Sequence, residues 1–251
     1  MVDVALGVYL FLAVTAFNKI DDSSQKCTQV SINIADAKSN GFIDSREIKS
    51  RLERQHLYPL GKPVTQVKPR QIEDCLMSSA FVKSAECYIS QDGQVHISYS
   101  QLMPIVRVKA INGSDYYIDD KCSIMPNSHY TSDLMIATGY ISTWYARNYI
   151  SYMVQALMAS DLWRNQIVQI NVLRDRGIEL VPQVGNHIVY LGTLPETHVA
   201  KDRRRLVTDF VNRKMERLLK FYKYGLSQAG WNKYSYINLE FDNQIICKKR
   251  Q

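Results

Sequence analysis

The sequence is short of everything that usually announces chemistry. It has no glycine-rich loop long enough to cradle a phosphate; Asn112-Gly113-Ser114 is too brief and falls between strand-like patterns. It has no Gly-x-Ser-x-Gly elbow. Its five histidines, His56, His96, His129, His187 and His198, are scattered. None lies three or four residues from another histidine or a cysteine, the spacing of a helical metal pair. Cysteine is scarce: Cys27, Cys75, Cys87, Cys122 and Cys247. No two stand at metal-ligand spacing, and the odd count leaves at least one thiol free or paired to another chain. These gaps exclude an enzyme as the first reading and leave no cofactor or metal to expect.

Three weaker constellations deserve a test. Cys87 and His96 can meet across adjacent strands, yet a nucleophilic dyad needs a third, orienting group and a cleft. Asp119 and Asp120 are neighbouring carboxylates, but they fall in a turn, where aspartate is favoured for backbone reasons. His187 sits in an apolar strand pattern and reads as a hydrogen-bonded core or edge residue.

Uncharged apolar runs are equally rare, and the exception is Val4 to Phe17. A spanning helix needs roughly 20 apolar residues. The run reads either as a span whose start precedes the chain or as the apolar part of an export signal, although the basic region that opens a signal is missing. A buried core helix would show a polar face, and this run shows none. We take residues 1–20 as a transmembrane helix, with the bulk of the chain exported from the cytoplasm. The composition of the whole chain, 46% hydrophobic and 22% charged, is that of a folded protein. The net charge is +7, concentrated between Lys201 and Lys223 and at Lys248 to Arg250. No stacking aromatics interleave with the arginines, so they read as solvated surface rather than a nucleic-acid site.

From Cys27 the pattern turns strand-like, with Val30, Ile32 and Ile34 alternating with polar residues. Asp44 and Glu47 form a capping-box pair ahead of a helix bearing Ile48, Leu52 and Leu57. Pro69 opens a second helix with the stripe Ile72, Cys75, Leu76. Phe81–Ile89 and Gln94–Ser100 read as strands about the turn Gln91-Asp92-Gly93, with Val95, Ile97 and Tyr99 on one face. Cys27 and Cys87 share this domain, and a bridge between them is left open.

The order strand, helix, helix, strand, strand, just outside one apolar segment, resembles a POTRA domain. Phe42-Ile43-Asp44, Ile72-Glu73-Asp74-Cys75-Leu76, Phe81-Val82-Lys83-Ser84-Ala85 and Gln101-Leu102-Met103-Pro104-Ile105-Val106-Arg107 resemble the FtsQ/DivIB cell-division family, most fully its Bacteroidetes-type members. The likeness continues. Asp115–Asp119 reads as a strand ending in aspartate, Pro126 follows, and Met135–Gly139 ends in Thr-Gly. Cys122 stands where the family has glycine, a costly choice if the turn is left-handed. A helix is expected over Ala146–Trp163. Three strands follow, with Val168, Ile170 and Val172 alternating in the first and Ile178 and Leu180 in the second. The third, His187 to Leu191, reads as covered on both faces. Its Leu191-Gly192 end is a further family feature. A long basic helix spans about Thr197 to Tyr224. Its expected buried side is Leu206, Phe210, Met215, Leu218, Leu219 and Tyr222, with Arg203, Arg204, Arg205, Arg213, Arg217 and Lys220 mostly away from it. Gly225 and Gly230 end the helix and its extension, and a last strand runs from Tyr236 to Cys247.

The expected class is therefore α+β: a transmembrane helix (1–20), a POTRA domain (25–103), and a mixed β-sheet domain with packed helices (104–251) ending in a partner-binding strand. Tyr236 and Asn238 belong to the wet face of that strand, whose alternation leaves it free to be an edge. The resemblance implies a scaffold without chemistry that holds FtsB- and FtsL-like division proteins at the septum, on the outer side of the inner membrane. Matched on the family's aromatic-Asp pattern, its contacts fall on Phe241, Asp242, Asn243, Ile245 and Cys247. No nucleic acid or small-molecule substrate is expected. Two rival classes stay open: an outer-membrane assembly module, which would want repeated POTRA domains or a barrel, and a secreted hydrolase.

Overall fold

A carboxylate starts the first helix. Asp44 holds an extended backbone, and its Oδ1 accepts a hydrogen bond from the Glu47 amide at 2.8 Å, capping α1 (Ser45–Arg54). This is seen in a computed structural model, which describes residues 7–9, 11, 25–35, 43–127 and 134–250. The chain divides into two units, Met1–Leu102 and Met103–Gln251. Of the expected apolar leader only Gly7, Val8, Tyr9 and Phe11 are described, as exposed helical residues, and the rest of 1–20 lies outside the described residues. Among the described residues no helix is long and apolar enough to cross a membrane.

In the first unit Pro69 opens α2 (Pro69–Met77) at a position where its missing N–H has no intrahelical partner. Among the described residues the strands β1 (Val30–Ile34), β2 (Val82–Ile89) and β3 (Val95–Gln101) form a sheet of order β1-β3-β2. The central strand turns Val95, Ile97 and Tyr99 inward, each at most 1% exposed. Ile48, Leu52, Ile72 and Leu76 complete that core from the helices. Burying each such side chain stabilises by about 1.5–3 kcal/mol. Cys75 is only half-buried at its margin. Cys27 and Cys87 are separate thiols, and Cys27 lies ahead of β1 rather than within it.

The second unit carries β4 (Pro104–Ala110), β5 (Asp115–Asp119), β6 (Ile124–Pro126) and β7 (Met135–Gly139). A short helix α3 (Thr143–Tyr145), a π turn (Ala146–Ile150), α4 (Ser151–Met158) and α5 (Asp161–Gln166) follow. Then come β8 (Ile167–Val172), β9 (Gly177–Pro182), β10 (Ile188–Thr193) and the long α6 (Ala200–Phe221). A second π turn (Tyr222–Leu226), α7 (Ser227–Ala229), β11 (Tyr234–Asn238) and β12 (Ile246–Lys249) end the chain. Among the described residues the sheet is nine-stranded, of order β12-β11-β10-β9-β8-β7-β4-β5-β6, with parallel pairs β4–β7, β7–β8 and β10–β11. Met153 and Leu157 of α4 and Val207, Val211 and Leu218 of α6 share one core with Val106, Ala137, Ile170, Leu180 and Leu191 of the sheet. Alternation turns the partners of those strand residues to the opposite face. There Thr138, Gln169, Asn171, Glu179 and Tyr236 are linked by side-chain hydrogen bonds.

Several expectations are corrected. The helix expected over 146–163 breaks at Ser160, whose φ −105 and ψ 123 are extended. Val168 is 42% exposed, because a register shift between Ile167 and Gln169 hands the inward position to Ile167. β10 is not covered on both faces, since Ile188 is 36% exposed. Gly225 lies inside the second π turn, and only Gly230, with φ +93, ends the helical segment. On α6, Arg203 and Lys214 are buried, at 8% and 4% exposed, whereas Leu219 is 42% exposed. Arg203 lies over the faces of both Trp144 and Tyr149 and donates to Asn148 Oδ1 at 2.7 Å, so ring faces take the place of water.

Cys122 holds φ +62 in the turn joining β5 to β6, where the Asp119 carboxylate accepts from the amides of Lys121 and Ser123. The left-handed region costs a residue with a Cβ roughly 1–2 kcal/mol. Cys122→Gly is expected to stabilise the second unit by about 1 kcal/mol, a rise in melting temperature of about 2–4 °C, measured by calorimetry.

Candidate functional site

The last strand is where the residues expected to meet a partner fall, and it is not one strand. The apolar–polar alternation continues to Phe241, but the chain leaves the sheet after Asn238 and returns as β12. Two local features turn it. The Asn238 Oδ1 accepts from the Glu240 amide at 2.7 Å, an Asx-type turn. Two cations of α6 then take up the carbonyls that the turn frees. Lys214 Nζ donates to Leu239 O at 2.8 Å, to Glu240 O at 2.7 Å and to Asp242 Oδ1 at 3.2 Å. Arg217 donates to Leu239 O at 3.1 Å, Phe241 O at 2.6 Å and Gln244 O at 2.9 Å. The Lys214 hydrogen bond and charge, with Arg217 behind them, hold the Asp242 carboxyl below its ordinary range.

The expected site residues consequently separate. Tyr236 and Asn238 lie on β11, between β10 and β12, and are interior to the sheet. The Tyr236 hydroxyl meets Glu179 Oε1 at 3.3 Å, and burial, with Glu179 behind it, pushes its pKa up to about 12. Phe241, Asp242 and Asn243 are exposed in the reversal. Asp242, Asn243 and Ile245 line a recess of about 240 Å³ with Arg217 and Lys220. Ile245 and Cys247 are half-buried against the core, and burial raises the Cys247 thiol. Neither Lys214 nor Arg217 was legible as a site residue: Arg217 reads as a solvated cation, and the carbonyls that hold both come from residues 239–244, beyond the reach of helical periodicity.

β12 is the edge of the sheet. The Arg250 amide donates inward to Lys233 O at 3.0 Å, and Ser235 Oγ reaches Lys248 O at 3.4 Å. Antiparallel alternation therefore points the N–H and C=O of Cys247 and Lys249 away from β11. No described residue bonds to them. Two other edges are blunted. β6 is three residues long and ends in Pro126, which has no N–H. On β2 the Cys87 amide donates to Glu73 Oε1 at 2.8 Å.

The reactive constellations do not assemble. Cys87 pairs with Ile97, while His96 pairs with Tyr88 and stacks on its ring at 4.9 Å, on the other sheet face. Burial, with Glu73 behind it, raises the Cys87 thiol to about 11, away from any thiolate nucleophile. Asp119 is consumed by its turn. His187 is 3% exposed; its Nε2 and the Tyr222 hydroxyl are 2.7 Å apart. Burial, and then the charge of Arg250, lower its pKa. Among the described residues no group of three or more His, Cys, Asp or Glu converges as a metal site would.

Two outcomes follow from these contacts. Lys214→Met leaves the Glu240 carbonyl without its donor and Leu239 O with Arg217 alone, and should destabilise the second unit by about 2–3 kcal/mol. Hydrogen exchange should quicken first over residues 239–249. A depressed histidine pKa means the unfolded chain takes up a proton below about pH 6.5 while the fold does not. Stability is therefore complete above that pH and is lost as pH falls towards the folded pKa. The drop in melting temperature from about pH 7 to 5 should be shallower in His187→Gln than in the wild type.

Comparison with known proteins agrees with this architecture. Residues 25–100 match the model of a POTRA-like domain. Residues 103–248, more than half of the chain, match the model described as FtsQ/DivIB, C-terminal related. No curated protein matches the chain. With both of its units accounted for in sequence order, the chain belongs to the FtsQ/DivIB family.

Proposed function

We propose that this protein is a scaffold of the division machinery that holds FtsB- and FtsL-like partners by accepting a strand on β12. Its family gives it a role in cell division, among proteins that are non-enzymatic. The reading adds that residues 1–20 anchor it in the inner membrane and that both units work on the periplasmic side, at the septum. The observation that carries it is the open rim of β12, where Cys247 and Lys249 present unshared backbone groups. An added strand gains affinity from main-chain bonds, and the side chains beside that rim select which strand. Here those are Ile246, 49% exposed, and the cations Lys248, Lys249 and Arg250. Like charges set against each other oppose pairing between two copies of this edge.

Proline substitution separates the two sides of β12. Lys249→Pro removes an outward N–H and leaves the β11 ladder intact, so capture of an FtsB-like partner should weaken at least tenfold with an unchanged melting curve. Lys248→Pro removes an inward N–H and should also speed hydrogen exchange in β11. Unimpaired capture by Lys249→Pro in a pull-down would refute strand addition at this edge. Ile245, partly seated in the core, is a less clean test, because a charge there also unseats the hairpin.

A further inference from the structure

The same unit carries a second concave surface, which β12 does not share. Between α5, the loop after β9 and the end of α6 lies a groove of about 510 Å³, within the range of about 300–1,000 Å³ typical of ligand pockets. Its walls are apolar and wet: Leu162 and Val184 are each 43% exposed, Leu219 42% and Trp231 39%. Single exposed apolar side chains are ordinary, but four converging on one hollow are not. Its floor is rigid. The Tyr222 ring lies 6.2 Å from Trp163 and 5.2 Å from Trp231, and its hydroxyl is tied to His187. An occupant would therefore order few side chains on entering.

The backbone is irregular at the same place. The π turn Tyr222–Leu226 supplies two of the lining side chains, Tyr222 and Lys223. Such turns are rare and frequently mark functional sites. Gly225 suits it, because a Cβ there would come within 2.9 Å of the Phe221 ring.

Among the described residues lining the groove, the charged one is Lys223. From Leu219 to Tyr236 the sequence contains no acidic residue. Lys220 is occupied by Glu216 at 2.7 Å. Lys223 lies over the Tyr224 ring at 5.2 Å and forms no ion pair among the described residues. Ser227 adds a hydroxyl on the same rim. A flat bilayer surface would not fill a hollow of this shape, whereas one chain would. We propose that this groove binds the apolar chain of an anionic amphiphile, its head group held by Lys223 at the rim.

Three probes of equal chain length and different head test this on the full chain, below their micelle-forming concentrations. They are dodecanoate, dodecyltrimethylammonium and dodecyl maltoside. Tryptophan fluorescence reports binding, because two of the three tryptophans, Trp163 and Trp231, border the groove and the apolar leader has none. Dodecanoate should bind at least tenfold more tightly than the trimethylammonium compound. Lys223→Glu, an exposed position, should reverse that order. Leu219→Asn, a neutral change at an exposed position, should weaken all three probes about tenfold with an unchanged melting temperature. Absence of a fluorescence response to dodecanoate overturns the proposal. So does binding that ignores the head group or survives Lys223→Glu unchanged, which would make the groove a socket for apolar side chains of a protein partner.

Discussion

One buried ammonium sets where the protein ends its sheet. Lys214 is 4% exposed, and an isolated charge at that depth would cost far more than any single contact returns. It is tolerated because the carbonyls of Leu239 and Glu240 and the carboxylate of Asp242 replace its water. Those carbonyls in turn need donors: the Leu239 amide still donates to Tyr190 O of β10 at 2.8 Å, but the carbonyls of Leu239 and Glu240 are met from α6. The two needs are met by one another. The reversal between β11 and β12 is thus held from α6, by Lys214 and Arg217, rather than by its own turn alone. The seating of the free edge depends on the helix behind it.

Edge management in both sheets gives the same picture. A sheet rim is hazardous because it pairs with whatever strand arrives. The rim at β6 is shortened and closed with Pro126, and an amide of β2 is occupied by the Glu73 carboxylate. β12 instead keeps its outward backbone groups unbonded and surrounds them with Lys248, Lys249 and Arg250. Cationic side chains deter another copy of the same edge without blocking the backbone to a strand of different charge.

The helical side of the second unit follows a different logic. There the aromatic rings of Trp163, Tyr222 and Trp231 and the buried His187 form a preformed floor, and the bulged helix end brings a lysine to its rim. The strained Cys122 turn and the buried Arg203 show that the unit also carries local costs. Its large shared core absorbs them.

Periodicity alone determined much of this architecture. The alternation of Val95, Ile97 and Tyr99, the cap at Asp44, the proline at 69 and the stripe of Ile72 and Leu76 all read correctly, because each depends on neighbours within a few residues. So did the meander through Ile178 and Leu180, whereas the left-handed turn at Cys122 stood as a condition that the structure met. Tertiary structure decided the rest. A register shift exposed Val168, packed rings buried Arg203, and carbonyls freed from a sheet drew Lys214 inward. The break after Asn238 belongs to the same class, because an alternating pattern continues through it. Only the donors on a helix more than twenty residues earlier make the reversal stable. Local sequence specifies local geometry; which polar groups lose their water depends on what the fold brings beside them.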